Sequence, residues 1–102
     1  MKLYIAGKIT GDKEYFHKFN RMELEIKARG HIPLNPAWNP KGMSRADYMR
    51  LCFAMIDVAD WVIFLKDWKD SPGARLERAY CDYIGKPYAE EGAICRRVND
   101  LT

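Results

Sequence analysis

At 102 residues, 48% of them hydrophobic and 13% aromatic, the chain has room for one folded domain, residues 1–102, and no second core. A formal net charge of +3, with no basic spot denser than Arg96–Arg97, argues against a nucleic-acid-binding stripe. Three cysteines without a Cys-x-x-Cys, two histidines not spaced as metal ligands and no apolar run of ~18 residues point to a cytoplasmic chain of reduced thiols, with no metal, no cofactor and no membrane span.

In chain order, Lys2–Ala6 reads as a short apolar strand, followed by the glycine-bracketed loop Gly7-Lys8-Ile9-Thr10-Gly11. Asp12 opens a helix whose apolar positions Tyr15, Phe19, Met22 and Ile26 recur at helical spacing, and Gly30 closes it. His31–Leu34 is a second strand, and residues 35–42, with two prolines, two asparagines and a glycine, form a loop. Ser44 caps a second helix, with Asp47 three residues on. Its main apolar stripe is Tyr48, Leu51, Cys52, Met55, Val58 and Ala59; a second is Met49, Phe53 and Ile56, as if the helix were buried on two sides.

Trp61–Leu65 has no polar alternation, which predicts a central strand covered on both faces. A charged loop, 66–70, leads to Ser71-Pro72-Gly73, the N-cap and first turn of a third helix. Leu76, Ala79, Tyr80 and Tyr83 are its expected core face, and Gly85 and Pro87 end it. Lys86–Ala89 is expected as an edge strand, and residues 90–102 as a short helix or loose tail. Strands alternating with helices predict an α/β, three-layer flavodoxin- or Rossmann-like domain: a small parallel sheet of four to five strands with helices on both faces. Ligands of such sheets bind beyond the carboxyl ends of the strands, where loops 7–11, 35–43 and 66–72 must gather.

Glu77 is the strongest candidate for chemistry. Helical side chains lean towards the N-terminus, where Gly73 and Ala74 are too small to cover a carboxylate. Spacing alone leaves two readings: a half-buried acid at the mouth of the crevice, or a solvated residue paired with Arg78 or Lys66. Gly7 and Gly11 either let backbone approach a ligand or shape an ordinary turn. Trp38 either stacks on a base or plugs the second helix. Asp67, Asp70 and Ser71 are candidates for sugar hydroxyls, whereas Asp60 reads as a structural acceptor for backbone amides.

Tyr4-Ile5-Ala6-Gly7-Lys8-Ile9-Thr10-Gly11, Gly30-His31, Asn35-Pro36, Ala59-Asp60, Ser71-x-Gly73-Ala74-x-x-Glu77 and Gly85-Lys86-Pro87 follow in order. This succession resembles the nucleoside 2-deoxyribosyltransferase superfamily over residues 2–88. It is most similar to a group of short bacterial and phage proteins carrying the domain of unknown function 4406. The resemblance implies an N-glycosidic-bond hydrolase or transferase acting on a nucleoside or nucleoside monophosphate. Glu77 would be the nucleophile and Tyr4 would help position it. Gly7, Lys8, Ile9 and Gly11 would border the sugar or a 5′-phosphate and Ser71 would contact a phosphate or sugar; Asn35, Trp38, Asp67 and Gly73, at the same loops, complete the expected substrate-binding set. The family's Asp about two helical turns before Ala-Asp, which helps protonate the leaving base, has no counterpart: that position falls near Cys52. A non-catalytic nucleotide-binding or sensing module is therefore the second expectation. A third is an interaction protein, motivated by the extra stripe of the second helix, which also points to a homo-oligomer, a dimer or higher.

Overall fold

The computed structural model describes residues 1–93. Four strands, β1 (Lys2–Ala6), β2 (Ile32–Leu34), β3 (Trp61–Phe64) and β4 (Tyr88–Glu90), form one parallel sheet in the order β2-β1-β3-β4. The register pairs Tyr4 with Leu34 on one side and with Val62 on the other, and Ile63 with Ala89. Helix α1 (Tyr15–Ala28) covers one face; α2 (Arg45–Val58) and α3 (Pro72–Ile84) cover the other. The fold is thus the expected α/β three-layer domain, with four strands. No helix among the described residues is long and apolar enough to cross a membrane.

The period of two along the strands builds both cores. Leu3, Ile5, Ile63 and Leu65 point at Phe19, Met22 and Ile26 of α1. Tyr4, Ala6, Val62 and Phe64 point at Cys52 and Ile56 of α2 and Cys81 of α3. Each fully buried aliphatic or aromatic side chain here contributes about 1.5–3 kcal/mol of transfer free energy. The strand β3 is apolar throughout because both of its faces are covered.

Three sequence expectations are corrected. Helix α1 starts at Tyr15, not Asp12, because Asp12 instead accepts a hydrogen bond from the Glu14 amide at 2.9 Å and holds the entering turn. Helix α2 is not buried on two sides: its two stripes merge into one broad face centred on Cys52 and Ile56, and Leu51 and Val58 are exposed. Helix α3 buries Ala74, Glu77 and Cys81, nearly opposite the expected face, leaving Leu76 exposed and Tyr83 91% exposed. The sheet beneath already carries the bulky Tyr4 and Phe64, so small residues of α3 fit the layer. Tyr80 alone of that expected face packs inward, stacked on Phe53 of α2 at 4.3 Å.

The helix boundaries follow local chemistry. The Ser44 and Ser71 hydroxyls accept from the amides of Asp47 and Ala74, both at 3.1 Å, and Pro72 occupies the first turn of α3. Gly85 ends α3 with φ +75°, a conformation that side chains resist. Strand β4 begins at Tyr88, two residues later than expected, and Glu91–Ala93 form a short 3₁₀ turn. The rest of the expected tail, residues 94–102, lies outside the described residues.

Candidate active site

The chain reverses direction across the sheet at β1: its first crossover leads outward to β2, its second returns past β1 to β3. Loops diverging from such a point leave a crevice beyond the strand ends. A cavity of about 710 Å³ opens there, within the roughly 300–1,000 Å³ range of small-molecule sites. The loop after β1, the 3₁₀ turn Pro36–Trp38, the first turns of α2 and the first turns of α3 surround it.

Glu77 reaches this cavity from α3 and is only 4% exposed. Tyr4, at the centre of β1, donates its hydroxyl to Glu77 Oε2. Oε1 takes no hydrogen bond from the described residues, and no described cation forms an ion pair with the carboxylate. Burial raises the carboxyl from 4.5 to about 7, with the Tyr4 hydrogen bond opposing the shift. Burial, followed by the nearby Glu77 charge, raises the Tyr4 phenol, which keeps it a donor. The Cys52 thiol, beside Tyr4, is pushed up to about 11, chiefly by burial. An acid stripped of water, oriented by one neutral donor and open on its second oxygen can act as a nucleophile or general base. It is the sole carboxylate lining the cavity among the described residues.

Residues 1–89 match the family described as Domain of unknown function (DUF4406). The chain belongs to this family. Comparison with curated proteins finds no match. Among solved structures, this DUF4406 member is similar to a 2-deoxyribosyltransferase from the psychrotolerant bacterium Bacillus psychrosaccharolyticus. The TM-score is 0.71 at 19% identity, over 88% of this chain and 71% of that one. That likeness establishes a shared Rossmann-like fold.

Of the residues singled out from sequence, Tyr4, Gly7, Ile9, Ser71, Gly73 and Glu77 line the cavity of the DUF4406 chain; Lys8, Gly11, Asn35, Trp38, Asp60, Asp67 and Asp70 are not among its lining residues. Asp67 accepts from the Lys8 amide at 3.1 Å and pairs with Lys18, which also pairs with Asp12; this ties the third loop to the first. Gly11 provides a turn at φ +81°. Asn35 caps the 3₁₀ turn through the Ala37 amide at 2.9 Å and donates to Glu23. Trp38 does not enter the cavity: it is 61% exposed, edge-on to Phe16 at 5.0 Å, with its indole N–H on Glu23. Asp70 is exposed, and Asp60 accepts from the Lys2 amide at 2.7 Å, the structural role expected of it.

Gly7 also has a packing reason, since a Cβ there would meet Leu65 at 2.8 Å. Gly73 does not: a Cβ there would meet only Met49 at 3.6 Å and Ser71 at 3.9 Å, ordinary contacts. Sequence reasoning missed Tyr15, Lys41, Arg45, Tyr48 and Met49 on the cavity wall. Their signal was weak, because polar and apolar residues in a loop and a helix start look like solvated surface and core. No group of three or more His, Cys, Asp or Glu among the described residues could hold a metal ion.

Proposed function

We propose that this protein cleaves, or transfers across, the N-glycosidic bond of a (deoxy)nucleoside or nucleoside monophosphate, with Glu77 as nucleophile. The observation that carries this reading is a buried carboxylate held by Tyr4 on one oxygen and unoccupied on the other, inside a cavity of ligand size. Oε1 attacks the anomeric carbon, the C–N bond breaks and its electron pair leaves with the base. The base takes a proton from solvent, because no second carboxylate lines the cavity among the described residues. Water or a second base then attacks the same carbon, surrenders its proton, and releases the Glu77 carboxylate. Gly73 and Ser71 leave room above the acid for the sugar, and the apolar wall near Met49 suits a base. The named activity of the structurally similar 2-deoxyribosyltransferase fits this class of reaction.

A second reading, a nucleotide-binding or sensing module without turnover, draws support from Cys52. It lines the cavity at the sequence position where the superfamily resemblance calls for an acid and this chain has none, and its thiol is held protonated. Incubation with a panel of deoxynucleosides and their monophosphates separates the two. Base release by the wild type, abolished in Glu77→Ala, supports catalysis. Tight binding without release supports the sensing module, and equal release by both proteins sinks the role of Glu77.

A further inference from the structure

The rim of the same cavity carries two cations that the glycosidic reading does not use. Lys41 and Arg45 both line it, and neither forms an ion pair among the described residues. Both are exposed, yet their backbone is fixed. The Tyr48 hydroxyl donates to the Pro40 carbonyl at 2.7 Å, and the Asn39 amide nitrogen donates to the Pro36 carbonyl at 3.0 Å. The Lys41 ammonium stands 5.9 Å above the Tyr15 ring, across the cavity mouth from its own loop. Arg45 is the first residue of α2, the end where the helix dipole is positive and a cation is locally disfavoured. Asp47, the acid in that turn, forms no ion pair with it among the described residues. The first turns of α2 and α3 both open on the cavity, so their dipoles add to the positive field.

We infer that Lys41 and Arg45 form an anion subsite at the cavity mouth, and that it takes the phosphate of a nucleoside monophosphate in preference to an uncharged nucleoside. This deepens the reading of the cavity as a nucleoside site and rests on it. The guanidinium offers paired donors to phosphate oxygens and the ammonium a point charge, the combination that separates a phosphorylated ligand from its neutral parent. An anion there also relieves the repulsion between Arg45 and its own helix end.

Calorimetry with the common 2′-deoxynucleosides and their 5′-monophosphates, on the wild type and a Lys41→Gln/Arg45→Gln variant, tests it. The wild type should bind at least one monophosphate roughly tenfold more tightly than its nucleoside, with affinity falling as salt rises. The double variant, with an unchanged melting temperature, should shrink that preference to under about threefold. Equal binding of nucleoside and monophosphate, a preference that survives both substitutions, or no monophosphate binding at all overturns the subsite. Base release, assayed separately, keeps the two ideas apart. A phosphate preference lost in the variant but without base release leaves the subsite standing and removes the catalytic reading. Base release with no phosphate preference does the reverse.

Discussion

Burying Glu77 strips water from a carboxylate and returns one hydrogen bond, from Tyr4. Its pKa is about 7 in the folded chain against an ordinary 4.5, so the folded state holds the proton more tightly. Stability from this group is therefore full below about pH 4.5, is lost as pH rises, and levels off above about pH 7; the loss amounts to about 3 kcal/mol. Glu77→Gln, neutral at every pH, should unfold in urea with up to about 3 kcal/mol more stability than the wild type at pH 8, and with no advantage near pH 4.5. A pH-independent difference would show that the acid is not desolvated. Turnover should run the opposite way, rising with pH through about 7 as the attacking carboxylate forms. Gly73 offers a second test. Gly73→Ala meets only ordinary contacts and removes a helix glycine, so it should raise stability by up to about 1 kcal/mol. The same methyl narrows the space beside Glu77, so base release should fall at least tenfold; unchanged turnover would place the substrate elsewhere.

At the scale of elements, α3 does two jobs with adjacent residues. Glu77 faces the cavity, while Arg78 lies over the rings of Trp68 at 4.2 Å and Tyr88 at 4.5 Å, with Glu90 at 4.0 Å. The guanidinium thereby joins α3 to β4 and to the 3₁₀ turn after β3. Arg78→Ala should cost about 1–2 kcal/mol by denaturant unfolding, whereas Arg78→Lys should recover only part of it, lacking the planar stack. Full recovery by lysine would reduce the contact to charge alone. The same helix shows where sequence reading slips. Leu76 and Tyr83 outrank Ala74 and Glu77 in hydrophobicity, so a pattern argument turns the helix to bury them. The sheet turns it the other way, because Tyr4 and Phe64 leave depth only for small side chains and one acid.

For the whole molecule, the corrected helix faces leave Leu51, Val58, Tyr83 and Ile84 exposed on α2 and α3, and Leu76 exposed at the cavity wall. Apolar side chains in such number on the outer helices of a small domain fit self-association, on different residues from the second stripe of α2 that motivated the homo-oligomer in the sequence, since that stripe faces the core. Sedimentation should show a dimer or higher species at micromolar concentration, shifted towards monomer by Tyr83→Arg. A monomer at every accessible concentration would leave these residues as ordinary surface.

What the sequence determined by itself was the succession of elements. Short apolar runs for the strands, helical spacing, the serine caps of α2 and α3, Pro72 and Gly85 are local signals, and each acts within a few residues of where it is read. It also marked Glu77 as a candidate, through the small residues Gly73 and Ala74 one turn above it and the motif order of the resemblance, while spacing alone left a solvated reading open. Only the tertiary structure decided which helix faces turn inward, since that depends on the volume the sheet has already filled. It alone set Lys41 and Arg45 at that cavity and turned Trp38 and Asp67 to the frame, and it made of Tyr4 and Glu77, paired beforehand only by resemblance, a hydrogen bond across 73 positions of chain. Contacts between residues so far apart leave no periodic trace, because they are created by the crossover of the chain rather than by its local pattern.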